Sequence, residues 1–167
     1  KKYIRDIPDF PKKGIIFKDI TTLLKDGIAF KDTMNILYQR YKNKKIDKIA
    51  AIESRGFIFG GALANSLGVG FVPVRKKGKL PAKTLSITYQ LEYGSDTLEV
   101  HCDAIEKDDK VLIIDDLLAT GGTASAVSEI IEKIGGEIIE IAFLIELEFL
   151  RGRDKLKNHE VFSIIQY

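Results

Sequence analysis

Cysteine is nearly absent. The single Cys102 in 167 residues excludes an internal disulfide and a Cys-rich zinc site, is compatible with a reducing compartment and leads us to expect a cytoplasmic protein. Cys102 itself reads as a half-buried strand residue rather than a nucleophile. Histidine is scarce as well. His101 and His159 are distant in sequence and lack a metal-ligand spacing, so both read as surface or packing residues. No apolar run approaches a membrane span, and the N-terminus has no signal-peptide pattern. The chain begins at Lys1 rather than methionine, so an end could be missing. A large charge imbalance is also lacking. A net charge of +2 argues for neither nucleic acid nor membrane as a partner, and any anion site has to be built from locally clustered cations. We find no internal repeat, linker or low-complexity segment.

What is present is one domain's worth of material over 1–167, with 45% apolar residues. It is organised around Val111-Leu112-Ile113-Ile114-Asp115-Asp116-Leu117-Leu118-Ala119-Thr120-Gly121-Gly122-Thr123-Ala124. The apolar run ending in paired carboxylates predicts a buried parallel strand entering a glycine-bearing turn. A helix follows, because Val127, Ile130, Ile131 and Ile134 share one face and Gly135-Gly136 supplies a stop. A helix N-terminus offers unpaired amides, and Gly121 and Gly122 let an anion approach the backbone, although an ordinary strand-to-helix turn uses glycine too. The acids weigh against that plainer reading. Asp115 and Asp116 are expected to face outward at the strand end, which suits the hydroxyls of a ribose or a hydrated Mg²⁺. A ribose 5′-phosphate fits such a loop.

No Gly-Lys-Ser/Thr follows, so this is not a Walker loop, and Gly-x-Gly-x-x-Gly is absent. The stretch resembles the phosphoribosyl-diphosphate motif of the type I phosphoribosyltransferases. The spelling Asp-Asp-Leu-Leu-Ala-Thr-Gly-Gly-Thr is similar to that of the adenine-specific branch of the family.

Residues 1–24 carry Pro8, Pro11 and Gly14 among scattered large apolar groups, a pattern that predicts neither a regular helix nor a strand, yet is too hydrophobic for a disordered tail. They are expected to form an arm, packed on the core or on a second subunit, or else covering a ligand. Here the resemblance continues, since Pro8-Asp9-Phe10-Pro11 and Gly14-Ile15-Ile16-Phe17-Lys18-Asp19-Ile20-Thr21 are similar to the family's hood over the base. It implies that Phe17 stacks on adenine with Ile16 and Lys18 beside it.

Phe30, Met34, Leu37 and Tyr41 predict an amphipathic helix over 29–42. A buried strand over 48–52 then leads into Glu53-Ser54-Arg55-Gly56 and a helix over 57–67 closed by Gly68. Arg55 at a strand-end loop suits bidentate contact with a diphosphate, or an ordinary ion pair. Glu53-Ser54-Arg55-Gly56-Phe57 resembles the family's pyrophosphate loop, which implies a non-proline cis peptide there and a role for Ser54. A strand over 69–74 delivers Arg75-Lys76-Lys77-Gly78-Lys79, a third anion-suited loop on the same edge; the resemblance implies diphosphate contacts from Arg75 and Lys79, with Lys76 near.

Leu85, Ile87 and Tyr89 alternate with polar residues, as do residues 98–102, which predicts a hairpin whose glycine-bearing tip suggests a mobile flap over 79–102. A carboxylate on such a tip is ordinarily just solvated. The resemblance instead implies that Leu91-Glu92-Tyr93-Gly94 is the catalytic flexible loop, with Glu92 assisting proton movement and Tyr93 capping the diphosphate. Strands over 138–145 and 161–165 complete a mostly parallel α/β sheet flanked by helices, the type I phosphoribosyltransferase fold that the resemblance also implies, with a hairpin flap and an N-terminal hood.

The resemblance further implies packing of Leu147 on the other face of adenine, phosphate contacts from Ala119, Thr120, Gly121, Gly122 and Thr123, and a homodimer, for which Ile7 and Phe10 offer hydrophobic surface. The activity it implies converts adenine and phosphoribosyl diphosphate to AMP and diphosphate, with Mg²⁺ held mainly by diphosphate and water. Lys18 and Lys77 depart from residues found in some relatives. A transferase for another base, or a nucleotide-sensing regulator without turnover, are the alternatives.

Overall fold

A computed structural model describes residues 1–90 and 94–167. The chain divides into two compact units, Lys1–Arg40 and Tyr41–Tyr167.

In the first unit β1 (Arg5–Pro8) pairs antiparallel with β2 (Ile16–Asp19), opposing Ile7 to Phe17 and Pro8 to Ile16. The expectation of no regular structure before residue 24 is therefore corrected. The prolines bracket a turn instead of interrupting a strand: Pro8 ends β1, and Asp9 (φ 56°) accepts a hydrogen bond from the Gly14 amide at 2.7 Å. Asp19 takes Arg5 Nε at 3.0 Å and the Thr21 amide at 2.9 Å, which together hold its carboxyl down at about 2. A single-turn α1 (Thr21–Leu24) leads to α2 (Gly27–Tyr41), the predicted amphipathic helix.

In the second unit a seven-stranded sheet forms among the described residues, in the order β5-β6-β4-β3-β7-β8-β9. Its members are β3 (Lys48–Ile52), β4 (Gly70–Lys76), β5 (Thr84–Gln90), β6 (Ser95–His101), β7 (Lys110–Leu118), β8 (Glu137–Glu146) and β9 (Val161–Gln166). The β4-β3-β7-β8-β9 portion is parallel, and the β5–β6 hairpin adds antiparallel strands at β4. Crossovers, right-handed as parallel connections are by rule, run from β3 through α3 (Gly56–Leu67) to β4 and from β7 through α4 (Gly122–Ile134) to β8. Because the first moves one way along the sheet and the second the other way, the two helices cover opposite faces. Gly60 of α3 lies against Ala51 and Ile114, where a Cβ would collide with both side chains. On the other face Val127, Ile130 and Ile131 of α4 are fully buried against Ala50, Val72, Ile113 and Phe143. The parallel strands are apolar on both sides because both sides are covered.

Two further sequence readings change. Cys102 is exposed and sits just past β6, its amide bonded to the Lys83 carbonyl, because the strand ends at His101. Strand β7 does not stop at the carboxylates: pairing with β8 continues through Asp115↔Phe143 and Leu117↔Ile145 to Leu118↔Glu146, so the acids lie within the strand.

Candidate active site

Three strand-to-helix or strand-to-turn junctions of the parallel sheet open on one edge, as open α/β sheets place their ligand crevices. The first is the loop after β7. Asp115, Leu117 to Ala124 and Phe143 line a recess of about 80 Å³, several times what one water needs and of a size for a phosphate. Gly121 is in the left-handed region at φ 77° and stands at the N-cap position just before α4. No side chain among the described residues caps that helix, and its first turn contains no acid. Its leading amides are therefore available to an anion.

The loop's tightness comes from a contact that sequence reasoning missed. A Cβ on Gly121 would run into the Gly152 carbonyl oxygen, and a Cβ on Gly152 would run into the Ala119 carbonyl oxygen. Only a glycine pair lets the two backbones meet. No local signal marks this, because the partners are 31 positions apart.

Asp115 and Asp116 are less solvent-facing than the sequence suggested. Asp116 is only 5% exposed and receives Arg55 Nε at 2.8 Å, and its own amide donates to Asp115 Oδ1 at 2.8 Å. Burial pushes both carboxyls above the usual range, Asp115 well above, because it also feels the Asp116 charge while Arg55 opposes the rise at Asp116. Gly56, at the start of α3, is needed here: a Cβ would come within 2.9 Å of Asp115 Oδ1.

The second junction follows β3. The Glu53–Ser54 peptide is cis, as the resemblance implied; Ser54 is exposed and Arg55 precedes α3. Glu53, to which sequence reasoning gave no role, is the carboxylate on which the third junction is built. It takes Arg75 Nε at 3.2 Å, Arg75 Nη2 at 3.1 Å and the Lys76 amide at 3.1 Å, and the guanidinium holds its carboxyl below the usual range. Arg75 and Lys76 belong to β4 itself, which runs two residues beyond its expected end because Arg75 and Lys76 pair with Glu99 and Leu98 of β6. Lys76 Nζ meets Asp96 at 3.0 Å, an interaction that raises the lysine. Gly78 (φ 78°) donates its amide to the buried Glu99, and Lys79 closes the turn with an exposed side chain.

Leu147, 8% exposed, follows β8, with its amide on the Leu118 carbonyl at 2.9 Å. Thr123 Oγ1 lies 3.3 Å from Tyr89 Oη, so the end of β5 touches the phosphate-type loop. Glu92 and Tyr93 lie outside the described residues. In the first unit, Ile16, Phe17 and Lys18 lie on β2: Ile16 is 55% exposed, Phe17 meets Phe10 edge-on at 5.2 Å, and Lys18 pairs with Asp6 at 2.8 Å.

Among the described residues no three His, Cys, Asp or Glu side chains gather to hold a metal, and no helix is long and apolar enough to cross a membrane.

Residues 19–166 match the model of the phosphoribosyl transferase domain. The chain is 60% identical to the adenine phosphoribosyltransferase of Geobacter metallireducens, over all of this chain and 98% of that protein. It superposes on the crystal structure of adenine phosphoribosyltransferase from Thermoanaerobacter pseudethanolicus with a TM-score of 0.96 at 55% identity, covering 99% of this chain and 96% of that one. The Saccharomyces cerevisiae enzyme, crystallised with adenine and an imino-altritol bisphosphate, gives a TM-score of 0.90 at 43% identity, covering 97% and 94%. With the glycine-bearing loop behind a paired-carboxylate strand, these likenesses mean that the chain belongs to the phosphoribosyltransferase family, and within it to the adenine phosphoribosyltransferases.

Proposed function

We infer that this chain transfers the 5-phosphoribosyl group of phosphoribosyl diphosphate to adenine, giving AMP and diphosphate, a purine-salvage reaction. The observation that carries this reading is the uncapped, acid-free start of α4 behind Asp115 and Asp116, in a chain alike over its full length to adenine phosphoribosyltransferases.

Departure of diphosphate leaves cationic character on the ribose, so the protein contributes positioning and charge. Amides from Ala119, Thr120, Gly121, Gly122 and Thr123 hold the 5′-phosphate, and Asp115 and Asp116 accept the ribose hydroxyls beside the developing cation. Ser54, Arg55, Arg75, Lys76 and Lys79 receive the leaving diphosphate. Phe17, with Ile16 and Lys18, and Leu147 bind the base; Glu92 assists proton movement at adenine and Tyr93 caps the diphosphate. These roles agree with the family resemblance and with the clustering of the loop, Arg55 and the paired acids.

The donor set fits Mg²⁺ taken up with its substrate. The chain offers adjacent carboxylates, one of them already on Arg55, and no three-acid cage among the described residues, so diphosphate and water would supply most ligands. When bound, the ion neutralises charge on the leaving diphosphate. We further assign a homodimer in the cytoplasm.

Turnover of adenine, hypoxanthine, guanine and xanthine in one assay tests this. Adenine should exceed the others by orders of magnitude in kcat/KM, because a pocket paired to an exocyclic amine leaves buried groups unpaired against an oxo group. Comparable turnover of hypoxanthine would contradict the base assignment. No diphosphate release with any base would favour a regulator.

A further inference from the structure

We propose that Lys155 is a phosphate-binding residue of this site, carried to the rim of the phosphate loop by a turn docked on that loop through Gly152 and Arg153. The inference deepens the transferase reading and rests on it. The turn Gly152–Lys155 follows β8 and was given no role by sequence.

Its placement is fixed from two sides. Gly152 meets the backbone of Ala119 and Gly121 so closely that neither Gly121 nor Gly152 can carry a Cβ. On the other side, Arg153 donates from Nε and Nη2 to Glu146 at 2.6 and 2.7 Å and from Nη1 to the Val161 carbonyl at 2.9 Å. Glu146 is 3% exposed and also takes Ser163 Oγ at 2.6 Å, so the pair is bidentate with a shielded carboxylate, while the Arg153 side chain stays 43% exposed. The turn is thus bolted to the end of β8 and pressed on the loop.

Lys155 is what the turn presents. Its ammonium lies 3.8 Å from where a Cβ on Gly122 would stand, beside the first residue of α4. Of the acids nearby, Asp154 pairs with Arg151 and Lys157 and Glu129 with Lys133, while Glu132, which lines one recess with Glu129 and Lys155, lies 3.7 Å from His159. Lys155 has no ion pair or hydrogen bond among the described residues. A cation at the positive end of a helix, with neither a capping side chain nor an acid in the first turn, is electrostatically unfavourable on its own. An anion sitting on the loop reverses the sign. The 5′-phosphate of substrate or product then meets backbone amides on one side and an ammonium at the rim.

Calorimetric titration of the full chain with ribose 5-phosphate, AMP and adenine tests this, comparing wild type, Lys155→Ala and Lys155→Arg. Lys155→Ala should weaken ribose 5-phosphate and AMP about 5- to 30-fold, the span of a charge-assisted contact, and leave adenine unchanged. Lys155→Arg should restore most of the affinity, and the gap should narrow as salt rises. KM for phosphoribosyl diphosphate should follow, with kcat nearly constant. Wild-type affinity for ribose 5-phosphate in Lys155→Ala overturns the role of Lys155 and leaves the phosphate loop standing. Equal losses for adenine and the phosphate esters also overturn it, by making the effect general damage. A wild-type protein that binds neither phosphate ester removes the loop assignment and the proposal together.

Discussion

The phosphate loop and the basic end of β4, which the proposed function assigns to the two ends of phosphoribosyl diphosphate, stand in opposite states. The start of α4 keeps its amides uncapped, in a backbone locked by the Gly121–Gly152 contact. Across the edge, three cations are already committed, Arg55 to Asp116, Arg75 to Glu53 and Lys76 to Asp96, while the Lys79 side chain is exposed. Under the proposed function the loop is a preformed receptor for the part of the substrate that stays in the product. Under the proposed function these three cations, held by the protein's own carboxylates, exchange partners for diphosphate. For the group that leaves, this is a sensible asymmetry, since carboxylates waiting to take back their cations favour release.

The largest expected effect strikes the ground between the two regions. Asp115→Asn with Asp116→Asn should cut kcat/KM by about 10³-fold or more while the circular dichroism spectrum stays native, because the shape is kept and the charge facing the ribose cation is lost. Near-normal turnover would mean that the pair does not face the ribose.

A backbone change should separate the regions. Gly152→Ala forces the turn off the loop, and we expect affinity for ribose 5-phosphate to fall about 10-fold or more, with about 1–3 kcal/mol of stability lost to overpacking. Diphosphate affinity should change far less. Equal losses for both ligands would erase the distinction.

Glu53→Gln should act in the reverse direction. With the competing charge removed, Arg75 is released, so inorganic diphosphate should bind a few-fold more tightly, while ribose 5-phosphate is unaffected. Weaker diphosphate binding would make Glu53 the orienting partner of Arg75 instead of its competitor.

The smallest effect is on stability. Burial raises Asp115 above its unfolded value of 3.8, so the folded state holds its proton more firmly. The cost of ionising it is absent below 3.8 and grows as pH rises through the folded value. Asp115→Asn should therefore raise the ligand-free Tm by about 2–4 °C at neutral pH, and the gain should vanish in acid near 3.8. A gain that persists there would point to packing. Asp19 runs the other way, because its carboxyl is held at about 2 and its stabilisation is present above 3.8 and lost on acidification.

The sequence made one region far more legible than the other. An apolar run, paired acids and a glycine turn lie contiguously over 111–124, and the strand, loop and helix formed there, although pairing with β8 carried the strand past the acids. The α3 cap at Gly68 and the α4 face were likewise local patterns. What escaped was long-range. The burial of Asp116 depends on Arg55, the state of Arg75 on Glu53, and the need for glycine at 121 on Gly152. The N-terminal hairpin escaped because its register is set by a turn through Asp9 and Gly14 that two prolines obscure.

The asymmetry is tested most directly by a crystal structure of the protein with phosphoribosyl diphosphate and Mg²⁺ bound. In that complex the backbone of 119–123 and its contact with Gly152 should stay in place, while the Arg75–Glu53 pair, now 3.1 Å apart, opens and the guanidinium turns to the diphosphate. A complex in which Arg75 still holds Glu53 with both nitrogens, while the phosphate loop has rearranged to receive its ligand, would contradict it.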